Sequence, residues 1–174
     1  MKAPIYLWTG NGWGKSTSAF GVAMRAVGHG YKVVVIQFMK GRKDTGEYKI
    51  QKKLKNFEIY QFGRTEWVDL ENPAPRDRDD ALEGLEFANK IANDSEPFLL
   101  ILDEINLAVK IGILKTKEVL DLLDNIPTSV HIYLTGRSAP KALIERADYV
   151  NTINTLKGPK KTEGEKGIDY WKVL

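Results

Sequence analysis

The chain has 174 residues, 28% of them charged, with a net charge of +3 and no cysteine. That length suits one domain with a buried core, and so mild a basicity demands neither nucleic acid nor an anionic membrane as partner. The missing thiols exclude disulfides, cysteine nucleophiles and thiolate-held zinc. No apolar run is long enough for a membrane span, and Met1-Lys2-Ala3-Pro4 leads into the first strand without the apolar core of a signal peptide, so a cytoplasmic protein is expected.

Short β-branched runs alternate with helical patterns, which predicts an α/β fold: a mainly parallel sheet covered on both faces. The first strand is read at Ala3 to Trp8. A glycine-rich turn follows, then a helix from Lys15 to Val27 with Ala19, Val22, Ala23, Ala26 and Val27 on one face and Gly28 and Gly30 to end it. Lys32 to Phe38 is a strand whose Val33-Val34-Val35-Ile36 core is apolar on both faces, as an interior strand requires. Gly46 to Leu54 reads as helical, Phe57 to Phe62 as extended, and Arg76 to Ala92 as a helix after the turn signals Asn72-Pro73-Ala74-Pro75. Phe98 to Leu102 is another buried strand, followed by a helix from Lys117 to Leu123 and a strand from Val130 to Leu134. A helix from Pro140 to Ala147, opening on a helix-compatible proline, and a last strand from Tyr149 to Ile153 complete the pattern. No repeat or linker divides residues 1–174, and Lys157 to Lys166, rich in Lys, Gly and Glu, is expected to be a mobile loop.

The turn after the first strand carries the most chemistry. It reads Thr9-Gly10-Asn11-Gly12-Trp13-Gly14-Lys15-Ser16-Thr17. Alternating glycines let backbone N–H groups converge on an anion while the following helix points its positive end at the same place. Lys15 adds a charge, and Ser16 or Thr17 puts a hydroxyl where a phosphate-bound Mg²⁺ needs a ligand. The loop departs from the usual P-loop spacing, because Thr9 stands where the first glycine is expected. Trp13 is unusual there, and the sequence leaves open whether it packs on a base, a macrocycle or the protein.

Leu99-Leu100-Ile101-Leu102 runs into Asp103-Glu104, acids at the strand end where ligands bind in such sheets, in the manner of a Walker B element. One carboxylate suits Mg²⁺, directly or through water, and the other suits orientation of a neighbouring group. Leu134-Thr135-Gly136-Arg137 ends another strand, and Arg137 on that rim suits either a phosphate or an acidic neighbour.

Taken together, these residues resemble the ATP:corrinoid adenosyltransferases with a RecA-like P-loop. The resemblance runs through most of the chain: Gly10 to Thr17, Gln37-Phe38-Met39-Lys40-Gly41, Thr45-Gly46-Glu47, Leu102-Asp103-Glu104, Thr135-Gly136-Arg137, Ala147-Asp148-Tyr149-Val150 and Gly167-Ile168-Asp169-Tyr170. It includes the missing first glycine of the loop. The resemblance implies a three-layer P-loop NTPase fold in a single domain. It also implies transfer of the 5′-deoxyadenosyl group of ATP to the Co(I) of a reduced corrinoid, cob(I)alamin or a precursor, with triphosphate as leaving group. The nucleophile then belongs to the substrate, and the protein positions the 5′ carbon and stabilises charge on the departing phosphates.

Carried onto this chain, the resemblance makes Lys15 and Glu104 the catalytic groups. Gly10, Asn11, Gly12, Trp13, Gly14, Lys15, Ser16, Thr17 and Arg137 become the nucleotide site, and Ser16 and Glu104, with Asp103 in support, the Mg²⁺ site. It further implies a flavodoxin-like or flavin reductant, a homodimer, and participation in adenosylcobalamin biosynthesis or salvage. Four departures stand out: Trp13 occupies a position commonly held by lysine; Gly63-Arg64-Thr65-Glu66-Trp67 replaces a Phe-Thr-Trp stretch beneath the corrin, leaving Trp67 as the matched aromatic; Lys157-Gly158-Pro159 replaces Lys-His-Pro; and Asn151 or Thr152 replaces the glutamate after the Ala-Asp-x-Val motif. Core packing is an equal alternative for Trp67. His29 is read as a helix cap or surface residue, His131 as structural, and Lys52, Lys53 and Lys55 as an exposed helix face. The loop and acids also suit a P-loop kinase or nucleotide hydrolase, although no acceptor base or arginine-rich lid is evident, or a non-catalytic carrier of ATP and a corrinoid.

Overall fold

The computed structural model describes residues 2–158 and 167–168. The elements run β1 (Ile5–Thr9), α1 (Lys15–Gly28), β2 (Val33–Phe38), α2 (Gly46–Ile50), β3 (Phe57–Phe62), α3 (Pro75–Ser95), β4 (Leu99–Asp103), α4 (Ile105–Lys110), α5 (Thr116–Asn125), β5 (His131–Thr135), α6 (Lys141–Arg146) and β6 (Tyr149–Thr152). Six strands form one sheet in the order β3-β2-β4-β5-β1-β6, every neighbouring pair parallel. All six carboxyl ends therefore lie along one rim, with β5 between the strand that feeds the glycine loop and the strand that ends in the acids.

Period-2 alternation divides the strand side chains between two layers. Ile5, Leu7, Val34, Ile36, Phe38, Leu100, Leu102, Ile132 and Leu134 face α3, α4, α5 and α6, whose Ala81, Ala88, Ile105, Val119 and Leu143 are buried against them. Val33, Val35, Ile59, Leu99 and Ile101 face the other way, onto the Ala19, Ala23 and Ala26 stripe of α1. Short alanine side chains at that spacing let a helix lie close to the sheet.

Five strands share a feature at the rim. The residue after each of β1 to β5 has positive φ: Gly10 at 95°, Met39 at 58°, Gly63 at 156°, Glu104 at 65° and Gly136 at 136°. The backbone thus leaves the extended conformation within one residue of each strand end, and at Met39 and Glu104 it does so without glycine's freedom, a conformation that costs about 1–2 kcal/mol.

Some sequence expectations need correction. The helix expected over Gly46 to Leu54 stops at Ile50, because the Gln51 side chain donates to Tyr48 O at 2.9 Å and accepts from Ile59 N at 3.1 Å, fastening the chain to β3. Lys52, Lys53 and Lys55 are exposed, as expected, but follow that helix. Pro140 precedes α6 as its cap, with ψ 146°, its carbonyl accepting from Leu143 and Ile144 N–H. The helix α4 was not foreseen. The loop read at Lys157 to Lys166 lies beyond Gly158 outside the described residues, as do Pro159, Asp169 and Tyr170.

Candidate active site

The glycine loop is strapped to the segment that follows β6. Ile153 N donates to Thr9 O at 2.9 Å, and Gly12 N donates to Ile153 O at 2.8 Å. A Cβ at Gly10 would stand 2.4 Å from Ile153 O, so this position requires glycine for space as well as for its φ. The first turn of α1 carries neither an acidic residue nor a side-chain cap, which leaves its N–H dipoles to an anion. Lys15 is buried, its Nζ 2.6 Å from Gly12 O. Burial pulls its ammonium below the ordinary range, an effect opposed by the charge of Glu104.

Asp103 is the hub of the rim. It has no exposed surface, and each of its oxygens accepts twice. Oδ1 accepts from Ser16 Oγ and Thr135 Oγ1, both at 2.7 Å, and Oδ2 accepts from Gln37 Nε2 at 3.0 Å and Lys40 Nζ at 2.6 Å. The sheet order makes this possible: Gln37 is the register partner of Asp103 on β2, and Thr135 ends β5 on the other side. Burial would raise the Asp103 carboxyl, but the Lys40 charge and these hydrogen bonds hold it below the ordinary range. Burial likewise opposes charge on Lys40, and the facing acids nevertheless keep its ammonium above its ordinary value.

Glu104 is the opposite case. Its backbone N–H donates to Thr135 Oγ1 at 3.0 Å, its φ is strained, and its Oε2 is buried without a hydrogen-bond partner. Burial, reinforced by the charge of Asp103, raises its carboxyl above the ordinary range despite the nearby charges of Lys40, Lys15 and Arg137. A carboxylate kept strained and under-satisfied beside three cations is positioned for something it has yet to meet.

The structure therefore brings Lys15, Ser16, Asp103 and Glu104 to one rim, with Arg137 exposed at its edge and close enough for its charge to act on Lys15 and Glu104. Asn11 and Thr17 are exposed and take no part in the Asp103 cluster, so of the two candidate hydroxyls it is Ser16 that is built in. Trp13 is 43% exposed. Trp67, 65% exposed, is not a core residue; its loop is anchored by a paired Arg64–Asp77 contact at 2.9 and 3.1 Å and by Val68 packing on the core. His29 caps α1 at the surface, whereas His131 packs against Tyr6 and Phe98 in the manner of a structural residue. Sequence reasoning missed Gln37, Lys40 and Thr135 as site residues. They were visible only as parts of short motifs, and strand order alone brings them together.

A model of the family described as ATP:corrinoid adenosyltransferase BtuR/CobO/CobP matches residues 2–170. The corrinoid adenosyltransferase of Pseudomonas aeruginosa is 35% identical over 168 residues, 95% of this chain and 83% of that protein. The one from Escherichia coli K12 is 36% identical over 171 residues, 95% of this chain and 85% of that protein. Among solved structures, the KaiC-like protein PH0186 of Pyrococcus horikoshii superposes with a TM-score of 0.57 at 17% identity, covering 91% of this chain and 75% of that one, a likeness of fold. The architecture is thus a RecA-like P-loop NTPase fold, and the chain belongs to the ATP:corrinoid adenosyltransferase family, transferases that move the adenosyl group of ATP onto a corrinoid.

Proposed function

We propose that this chain performs the transfer as a Mg²⁺-dependent reaction at the rim formed by residues 9–17, Asp103, Glu104 and Arg137. The observation that carries the reading is the unpartnered, buried Oε2 of Glu104, within reach of the Lys15 charge and adjacent in the chain to Asp103, which holds the Ser16 hydroxyl. Among the described residues no three His, Cys, Asp or Glu side chains gather into an all-protein metal cage. One hydroxyl and one available carboxylate is instead the partial donor set of Mg²⁺, which takes its remaining oxygens from phosphates and water. Ser16 and Glu104 would hold the ion, with Asp103 in support. When bound, it supplies charge neutralisation for the departing triphosphate.

The residues of the chain do the rest. Loop N–H groups and the start of α1 hold the phosphates, and Lys15 exchanges its bond to Gly12 O for one to a phosphate oxygen, where its charge counters the negative charge of the leaving group. Arg137 closes the phosphate end. Trp67 presents an exposed aromatic face to the corrinoid. In the step itself the Co(I) electron pair forms the bond to the 5′ carbon of ATP as the C–O bond to the α-phosphate breaks, and triphosphate leaves with that bonding pair. A flavodoxin-like or flavin reductant supplies the Co(I) state. We further propose a cytoplasmic homodimer acting in adenosylcobalamin biosynthesis or salvage.

The test mixes the purified protein anaerobically with ATP, Mg²⁺ and chemically reduced cob(I)alamin or a precursor corrinoid, following the corrinoid spectrum and released triphosphate. Stoichiometric adenosylcorrinoid and triphosphate are expected, reduced about 100-fold or more in Lys15→Ala. ATP binding without transfer to any of these corrinoids would overturn the proposal in favour of a carrier. Release of ADP or AMP would favour a different P-loop reaction.

A further inference from the structure

Lys40 enters none of the steps above, yet it makes one of the shortest contacts at the site, 2.6 Å from the fully buried Asp103. Because each Asp103 oxygen already accepts two hydrogen bonds, this carboxylate is committed to its neighbours rather than to a cation. Those bonds do specific work. By accepting the Ser16 O–H hydrogen bond, Asp103 turns the remaining lone pairs of that hydroxyl away from itself. By accepting the Thr135 O–H hydrogen bond, it fixes the oxygen that in turn accepts the Glu104 backbone N–H and so holds the left-handed turn carrying Glu104. Both cation-facing groups are therefore aimed by one buried carboxylate.

Such a carboxylate needs a counter-charge, and among the described residues Lys40 is the cation that pairs with it. The lysine is itself held in place: a Cβ at Gly63 would lie 2.6 Å from Lys40 N, so the turns after β2 and β3 meet backbone to backbone there. We infer that Lys40 is a positioning residue, whose ammonium keeps Asp103 as the acceptor that aims Ser16 and Glu104 at the divalent cation, without itself contacting the triphosphate. This rests on the cation reading given under Proposed function.

The experiment is calorimetric titration of the full chain with ATP, in EDTA and across a MgCl₂ series, for the native protein, K40M and K40R. The native protein is expected to bind ATP more tightly with Mg²⁺. K40M is expected to match it in EDTA but to require at least about 10-fold more Mg²⁺ for the same gain, as disruption of groups that orient metal ligands typically does, and K40R to recover most of the difference. Equal weakening of K40M in EDTA and in Mg²⁺ would make Lys40 a phosphate ligand and overturn the inference, as would K40R behaving like K40M. If K40M fails to fold around an unpaired carboxylate, K40M/D103N removes both charges; the same loss of Mg²⁺ response is expected, and a native response would overturn the inference. Absence of any Mg²⁺ effect in the native protein would instead sink the cation reading itself, whereas a native effect retained in K40M would sink only the role of Lys40.

Discussion

Glu104→Gln is expected to make the ligand-free protein more stable while weakening its response to Mg²⁺. The native carboxyl is buried with one oxygen unpartnered and an ionised Asp103 beside it, and these outweigh the three neighbouring cations. Its folded-state pKa is thus raised above the ordinary 4.5. A carboxyl shifted in this direction costs nothing while protonated in both states, and the cost grows as pH climbs through the folded value. An under-satisfied buried polar group costs about 1–3 kcal/mol. Taking about 1–2 kcal/mol as the part a neutral amide relieves, and about 2–4 °C per kcal/mol for a chain of this size, E104Q should unfold about 2–8 °C higher at neutral pH. The gap should close as pH falls towards 4.5, where the native carboxyl is also neutral. Thermal unfolding followed by circular dichroism across that range checks it. Adding ATP and Mg²⁺ should reverse the order, because only the native protein gains full stabilisation from the bound ion. An E104Q variant no more stable than native at neutral pH, or a gap indifferent to pH, would refute the reasoning.

Gly10→Ala should cost more than the ~1–2 kcal/mol of its left-handed φ of 95° alone, because its Cβ would stand 2.4 Å from Ile153 O and force the backbone to shift, and it should weaken ATP binding; urea denaturation and calorimetry read both, and native affinity would count against the strapped loop. Asp77→Ala removes the carboxylate that pairs with Arg64 and accepts from Ala74 N–H at 2.8 Å. With Arg64 still partly solvated, a loss of about 2 kcal/mol in urea is expected, and a change under about 0.5 kcal/mol, the size of an ordinary surface substitution, would show the contact to be dispensable. Trp67→Ala should weaken corrinoid binding about 10-fold while leaving the unfolding temperature and ATP affinity unchanged, since the ring is 65% exposed; a drop of several degrees would assign it to packing instead.

The layers of this fold were legible because each strand keeps one period and each helix another. Val33 to Ile36, apolar on both faces, could only be an interior strand, and the Ala19, Ala23, Ala26 spacing only a packed helix face. The glycine loop and Asp103-Glu104 were legible for a similar reason, since their chemistry is local in sequence. What escaped was whatever depends on adjacency between strands. Gln37 reads as one polar residue in an apolar run until β2 is known to lie beside β4, and Thr135 reads as a strand end until β5 is known to fill the gap between β1 and β4. The helix α4 was hidden because it is only six residues long, Ile105–Lys110, and follows β4 with no turn signal but the left-handed Glu104 between them. Gln51 shortened α2 through a side-chain contact with β3 that no propensity scale contains.

Residues 10, 39, 63, 104 and 136, each with positive φ, directly follow a strand, so the rim groups next to them are placed by the sheet itself. One residue inserted at any of these five positions would displace the group that follows from the strand that places it, whereas the stretch from 69 to 73, between Val68 on the core and α3, carries no strand register. If Trp67 meets the corrinoid as proposed, the acceptor side of the site would sit on an irregular loop, whereas the glycine loop and Asp103-Glu104 are tied directly to strand ends.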